Sequence, residues 1–102
     1  MSVKFKRGVP GCQLVTDGNG LRLGSVVKKP WGWVVLTVHD FVIMNVAKEI
    51  HGEYSPTDLR HSNMADAKAR AKAFYTPIAE ALAPRVRVAY HKGEAYPTVD
   101  GY

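Results

Sequence analysis

The sequence has little cysteine and no long apolar run. Its 102 residues include one cysteine, so it can form neither an internal disulfide nor a thiolate zinc site. No stretch reaches the roughly 18 consecutive apolar residues of a membrane span, and the N-terminus lacks the apolar core of a signal peptide. We therefore predict a cytoplasmic protein with no membrane partner and exclude a disulfide-held secreted scaffold.

Recognisable catalytic motifs are also lacking. No two of the four histidines have the four-residue spacing that places imidazoles on one helix face for zinc. The glycine-rich segment 17–20 lacks the order of a phosphate-binding loop. We accordingly expect no metal, no cofactor and no enzymatic activity.

Acidic residues are few. There are 9 of them against 14 lysines and arginines, which gives a net charge of +5. Asp17 is the only acid in residues 1–36, whereas six basic residues lie there. This excess favours acidic or polyanionic partners, although basic side chains on a small domain are equally often a solvated surface.

Turn residues divide the first third of the chain into strands. Asp-Gly and Asn-Gly at 17–20 tolerate the positive φ of a tight hairpin, so strands are predicted on both sides. The alternation slips near Gly24, which indicates a bulge or a close backbone approach. Residues 30–32 turn the chain into a strand at 33–38, and three antiparallel strands result.

Residues 41–50 fit two structures. As a helix, Asp40 would cap the N-terminus and Gly52 would follow the C-terminus. As a strand, the segment would pair back on 33–38. The strand is favoured, because valine and isoleucine dominate the first half.

The clearest helix spans 63–82. Asn63 can cap it, and apolar residues then recur at three- and four-residue spacing. Pro77 either kinks this helix or makes it restart with Thr76 as a cap.

Residues 85–90 alternate with period two and predict a final half-buried strand, with Arg85 and Arg87 facing water or a ligand. The tail 91–102 has no periodicity and is predicted to be mobile, which leaves residues 1–90 as a single domain. The fold class is α+β, an antiparallel sheet of four to five strands with one main helix on one face. A small SH3-like barrel over 12–50, plus the helix, is the alternative.

Basic and aromatic residues form the candidate binding sites. Bases stack on aromatic faces while lysine and arginine neutralise phosphates, so a cluster around the predicted turn at 30–32 suits a nucleic acid. In the alternative interpretation, Trp33 belongs to the hydrophobic core and Trp31 covers it. A second basic face lies on the helix. The candidate contacts are Arg22, Lys28, Lys29, Trp31, Lys68, Lys72, Arg85 and Arg87.

Three segments carry a family resemblance. Leu23-Gly24-Ser25-Val26-Val27-Lys28, then Gly32-Trp33-Val34, then Met64-Ala65-Asp66-Ala67 resemble a hairpin-and-helix pattern of small, uncharacterised phage and prophage accessory proteins. The likeness spans 14–82 loosely, and 41–50 and the chain after 84 depart from it. It implies a setting in the host cytoplasm and an accessory role, either binding DNA or inhibiting a host protein.

Two functions follow as hypotheses. In the first, the chain is a non-enzymatic accessory protein that binds and modulates a host protein. In the second, the basic N-terminal third binds nucleic acid without sequence specificity. A homodimer is a further expectation, because Ala65, Ala69 and Ala73 flank the core stripe of the helix and let another helix approach closely.

Overall fold

An open antiparallel sheet covered by helices on one face forms the main body. The computed structural model describes residues 3–37, 40–52 and 60–99. Five strands are ordered β1-β2-β3-β4-β5, and a separate hairpin pairs β6 with β7. The elements are β1 Lys4–Arg7, β2 Cys12–Thr16, β3 Arg22–Lys29, β4 Gly32–Thr37, α1 Phe41–His51, β5 Arg60–His61, α2 Met64–Leu82, a 3-10 turn Ala83–Arg85, β6 Val86–His91 and β7 Glu94–Val99. The α+β class is confirmed, and the described strands do not close into a barrel.

The β2–β3 turn forms as predicted. One carboxylate oxygen of Asp17 accepts hydrogen bonds from the Asn19 and Leu21 amides, at 2.9 and 2.8 Å. This is the local side-chain to backbone bonding that favours aspartate in turns. The second hairpin turns at residues 30–31, and Lys29 pairs with Gly32.

A bulge and a close approach coincide at Gly24. Val15 pairs with Gly24 while Thr16 pairs with Arg22, so Leu23 is the extra residue, and it is fully buried. The Tyr75 hydroxyl donates to the Leu36 carbonyl at 2.8 Å. A Cβ on Gly24 would overlap both of those oxygens. The slip in alternation therefore predicted a real irregularity of the sheet.

Residues 41–51 form helix α1, so the favoured strand is wrong. A carboxylate oxygen of Asp40 accepts the Ile43 amide at 3.0 Å, and Gly52 follows the helix with φ 71°. Four apolar side chains are buried at helical spacing: Val42, Ile43, Val46 and Ala47. Caps and burial of an apolar stripe against α2 outweigh the small strand preference of valine and isoleucine.

Helix α2 is the main helix, as predicted. The Asn63 side chain accepts the Asp66 amide at 2.8 Å and caps it. The helix continues through Pro77, so it does not restart at Thr76, whose hydroxyl instead donates to the Lys72 carbonyl at 2.6 Å. Seven residues of α2 are buried: Ala67, Ala71, Phe74, Tyr75, Ile78, Ala79 and Leu82. No helix in the described part of the chain is both long and apolar enough to cross a membrane.

The predicted number of strands is right, but their membership differs. Strands β1 and β5 were not predicted, and the strand predicted at 85–90 belongs to a separate two-stranded sheet. The tail from residue 91, expected to lack regular structure, contributes β7. Lys92 and Gly93, with φ 51° and 79°, make the tight turn that joins the two strands. The domain boundary drawn at residue 90 thus falls inside this hairpin.

Candidate functional site

The basic residues of β3 do not converge on one patch. Arg22 begins the strand, whereas Lys28 and Lys29 end it. Six residues of extended strand separate Arg22 from Lys28 by about 20 Å. Because side chains alternate across a strand, Lys28 and Lys29 also lie on opposite faces of the sheet. The predicted nucleic-acid cluster is therefore divided by the geometry of one strand.

Trp31 is exposed and already has a cationic neighbour. The guanidinium carbon of Arg60 lies 4.5 Å from the centroid of the Trp31 ring, a cation–π contact. Trp31 is 49% exposed, while Trp33 is partly buried against the core. The structure thus supports the reading in which Trp33 is core. Sequence reasoning missed Arg60, because a strand of two residues leaves no periodic signal.

Lys68 and Lys72 occupy successive turns of α2, as their spacing requires. The Lys68 ammonium lies 5.0 Å from the centroid of the Phe5 ring. Phe5 belongs to β1 and packs against the core. Lys68 thereby connects α2 to the edge strand β1 through a cation–π contact, whereas Lys72 is exposed.

The hairpin β6–β7 has one entirely apolar face. Val88 pairs with Pro97 and Tyr90 with Ala95, and directly opposed residues share a face. Alternation places six apolar residues on that face, which we call the hairpin apolar face: Val86, Val88, Tyr90, Ala95, Pro97 and Val99. The other face carries Arg87, Ala89, His91, Glu94, Tyr96 and Thr98.

The hairpin apolar face is buried only at its base. Val86 and Val99 pack against the main core, whereas Val88 is 60% exposed and Tyr90 is 74% exposed. An open groove of about 330 Å³ is lined by Val86, Val88 and Pro97 of this face and by Asn19 of the β2–β3 turn. Adjacent exposed apolar side chains of this kind mark interaction sites, unlike single ones scattered over a surface.

The hairpin region has more basic than acidic residues. From residue 85 to 99 the chain carries Arg85, Arg87 and Lys92 against Glu94 alone. Arg85 precedes β6 in the 3-10 turn and is half-buried, Arg87 is exposed on the face opposite the hairpin apolar face, and Lys92 is at the tip. Of the two predicted contacts, the structure thus places Arg87 on the exposed hairpin, whereas Arg85 lies outside the strand predicted for it.

The sequence contains only part of the signal for this surface. Val86, Val88 and Tyr90 alternate, and this alternation predicted β6. The matching apolar residues of β7 are separated by Tyr96 and Thr98 and include Pro97, which is rare inside strands. The Lys92-Gly93 turn would have identified the partner strand.

Comparisons with known proteins identify no relative of this chain. No family model, no curated protein and no solved structure matches the chain. Among the described residues, no three histidine, cysteine or acidic side chains are grouped so that they could hold a metal ion.

Proposed function

We propose that this chain is a small, non-enzymatic accessory protein of phage type that binds and modulates a host protein through the hairpin apolar face. The observation that carries the proposal is the exposure of Val88 and Tyr90, 60% and 74%, on a face with no charged side chain. The resemblance over residues 14–82 supports the phage setting.

The energetics of the hairpin favour a binding role. A two-stranded ribbon is marginal alone, so its side chains matter only if they bury surface on the body or on a partner. Val86 and Val99 bury theirs on the body, whereas Val88 and Tyr90 do not. Burying each of those two side chains in a complex would contribute about 1.5–3 kcal/mol.

The charge around the hairpin defines the partner. The protein carries +5 overall, and the exposed part of the hairpin carries Arg87 on its other face and Lys92 at its tip. A partner with an apolar centre and an acidic rim is therefore complementary in both surface and charge. The nucleic-acid hypothesis has less support, because its predicted contacts lie at opposite ends of β3.

A pair of matched variants tests this proposal. A host protein recovered on the wild-type chain is purified, and its affinity for Val88→Ser with Tyr90→Ser is measured by calorimetry. We expect a loss of at least about 100-fold, since both buried apolar contacts disappear. Phe41→Ser is the control, because Phe41 is 76% exposed at the start of α1 and lines a groove to which no hairpin residue contributes.

Two results would contradict the proposal. The host protein would keep its affinity for the double variant, or the Phe41→Ser control would lose affinity equally. Circular dichroism of both variants verifies that the fold is unchanged.

A further inference from the structure

The register of the hairpin fixes which backbone groups point outward. His91 and Glu94 flank the two-residue turn, and such a flanking pair exchanges both of its backbone hydrogen bonds. Bonded and non-bonded pairs then alternate along the ribbon. The Val88–Pro97 and Tyr90–Ala95 pairs are consequently non-bonded, and their amides and carbonyls point away from the opposite strand.

The two outer edges of the ribbon are not equivalent. On β7, the outward position in the middle of the edge is Pro97, which has no N–H to donate. On β6, Val88 and Tyr90 have outward N–H and C=O groups, whereas the Val86 N–H already donates to the Ala83 carbonyl of the 3-10 turn. Among residues 3–37, 40–52 and 60–99, no strand other than β7 pairs with β6. Proline at an edge blocks strand addition, so the β6 edge at Val88 and Tyr90, and not the β7 edge, is the one suited to accept another strand.

We propose that the β6 edge binds an extended segment of the partner as a third strand, and that this segment alternates apolar with acidic residues. The inference rests on the proposed function and specifies its mode of binding. Backbone hydrogen bonds to an exposed edge supply affinity in such complexes, while alternate side chains supply specificity.

The alternation follows from the two faces of β6. Apolar side chains of the incoming strand would lie beside Val88 and Tyr90 on the hairpin apolar face. The intervening side chains would lie on the other face, which carries Arg87, and an acidic group is complementary to its charge. One strand thus presents a two-sided recognition pattern.

Charge disfavours a second copy of this chain as the occupant. Two copies paired through β6 would join two bodies that each carry a net charge of +5. Repulsion between like net charges opposes their association. An acidic segment has the opposite effect.

The test uses a synthetic probe with blocked ends, a heptapeptide that alternates glutamate with valine. Its affinity for the full chain is measured by fluorescence anisotropy. Val88→Pro removes an outward N–H of β6 and keeps an apolar side chain. Ala95→Pro removes an outward N–H of β7 and is the matched control, since neither change removes a donor of the β6–β7 ladder. We expect the dissociation constant of the probe to rise about tenfold for Val88→Pro, because one backbone hydrogen bond to the probe is lost. For Ala95→Pro it should change by less than about twofold, because the probe does not pair with β7.

Hydrogen exchange gives a direct second readout. Probe binding should slow exchange of the Tyr90 amide and leave that of Ala95 unchanged, because only the β6 edge becomes paired. A peptide with lysine in place of glutamate should bind at least about tenfold more weakly.

Each alternative result overturns the inference. Strand addition at β6 would be excluded if the probe did not bind, or if the two proline variants lost affinity for it equally. If the Val88→Ser with Tyr90→Ser variant still loses the host protein in that case, the proposed function stands and only the mode of binding fails. A dimer dissociated by Val88→Pro would make a second copy the occupant.

Discussion

At the scale of the residue, Gly24 shows how one missing side chain shapes the core. Leu36 and Tyr75 share a hydrogen bond at the place where a Cβ on Gly24 would lie. The sheet can therefore approach α2 closely only because this position is glycine.

Gly24→Ala should lower the free energy of unfolding by about 1–3 kcal/mol, the cost of forcing extra volume into a packed core. Urea denaturation measures the loss. Gly8→Ala is the control, because its φ is not positive and the nearest atoms to its Cβ position are 3.5 Å away, an ordinary contact. It should change the free energy of unfolding by less than about 0.5 kcal/mol. A Gly24→Ala protein as stable as the wild type would show that the sheet and helix separate freely.

Asp40 illustrates a second residue whose role is local. Its carboxylate accepts the Ile43 amide, and this cap decides where α1 begins. Asp40→Ala should lower the free energy of unfolding by about 1 kcal/mol, the usual cost of losing such a cap. Glu49→Ala, at an exposed position of the same helix, should change it by less than about 0.5 kcal/mol. Equal effects of the two substitutions in thermal or chemical denaturation would contradict a capping role.

At the scale of the element, local signals were predicted well and distant ones were not. The β2–β3 hairpin and α2 have turn or capping residues next to a clear period, so neighbouring residues determine them. Helix α1 was mispredicted because strand propensity was weighed above its caps. Strand β5 was missed because two residues acquire their structure only by pairing with β4.

The same distinction applies to the candidate site. Arg85 and Arg87 were predicted and lie at the hairpin, because alternation revealed β6. Val88 and Tyr90 were not predicted as site residues, since their exposure depends on how the β6–β7 hairpin packs against the main sheet and helices. Exposure of an apolar residue is a property of tertiary structure that a single sequence does not show.

Helix α2 carries the expectation of a homodimer. Ala65, Ala69 and Ala73 are exposed, as an interface on this side of the helix requires. If they form it, sedimentation at micromolar concentration should give twice the 11.3 kDa monomer mass, and Ala69→Glu should restore the monomer. A wild-type chain that sediments as a monomer would eliminate this interface.

At the scale of the whole molecule, the spread of basic charge limits nucleic-acid binding. Four simultaneous phosphate contacts would give a log–log salt slope of about −3.6 on duplex DNA. Because Arg22 lies far from Lys28 and Lys29 on β3, we expect a shallower slope. Lys28→Glu with Lys29→Glu should leave affinity for the host protein unchanged, since both residues are remote in sequence from the hairpin and belong to the other sheet. A slope near −3.6 that this double change abolishes would favour the nucleic-acid hypothesis.

The hairpin is also a contiguous segment whose strands pair only with each other within the described residues. Substitutions at its exposed positions can therefore alter recognition without disturbing the five-stranded sheet that keeps the chain folded. Selection for a new partner and selection for stability act on different residues. Descendants of this chain can change what they bind by substitutions between Val86 and Val99, which pack against the core, while inheriting those two residues and the rest of the fold intact.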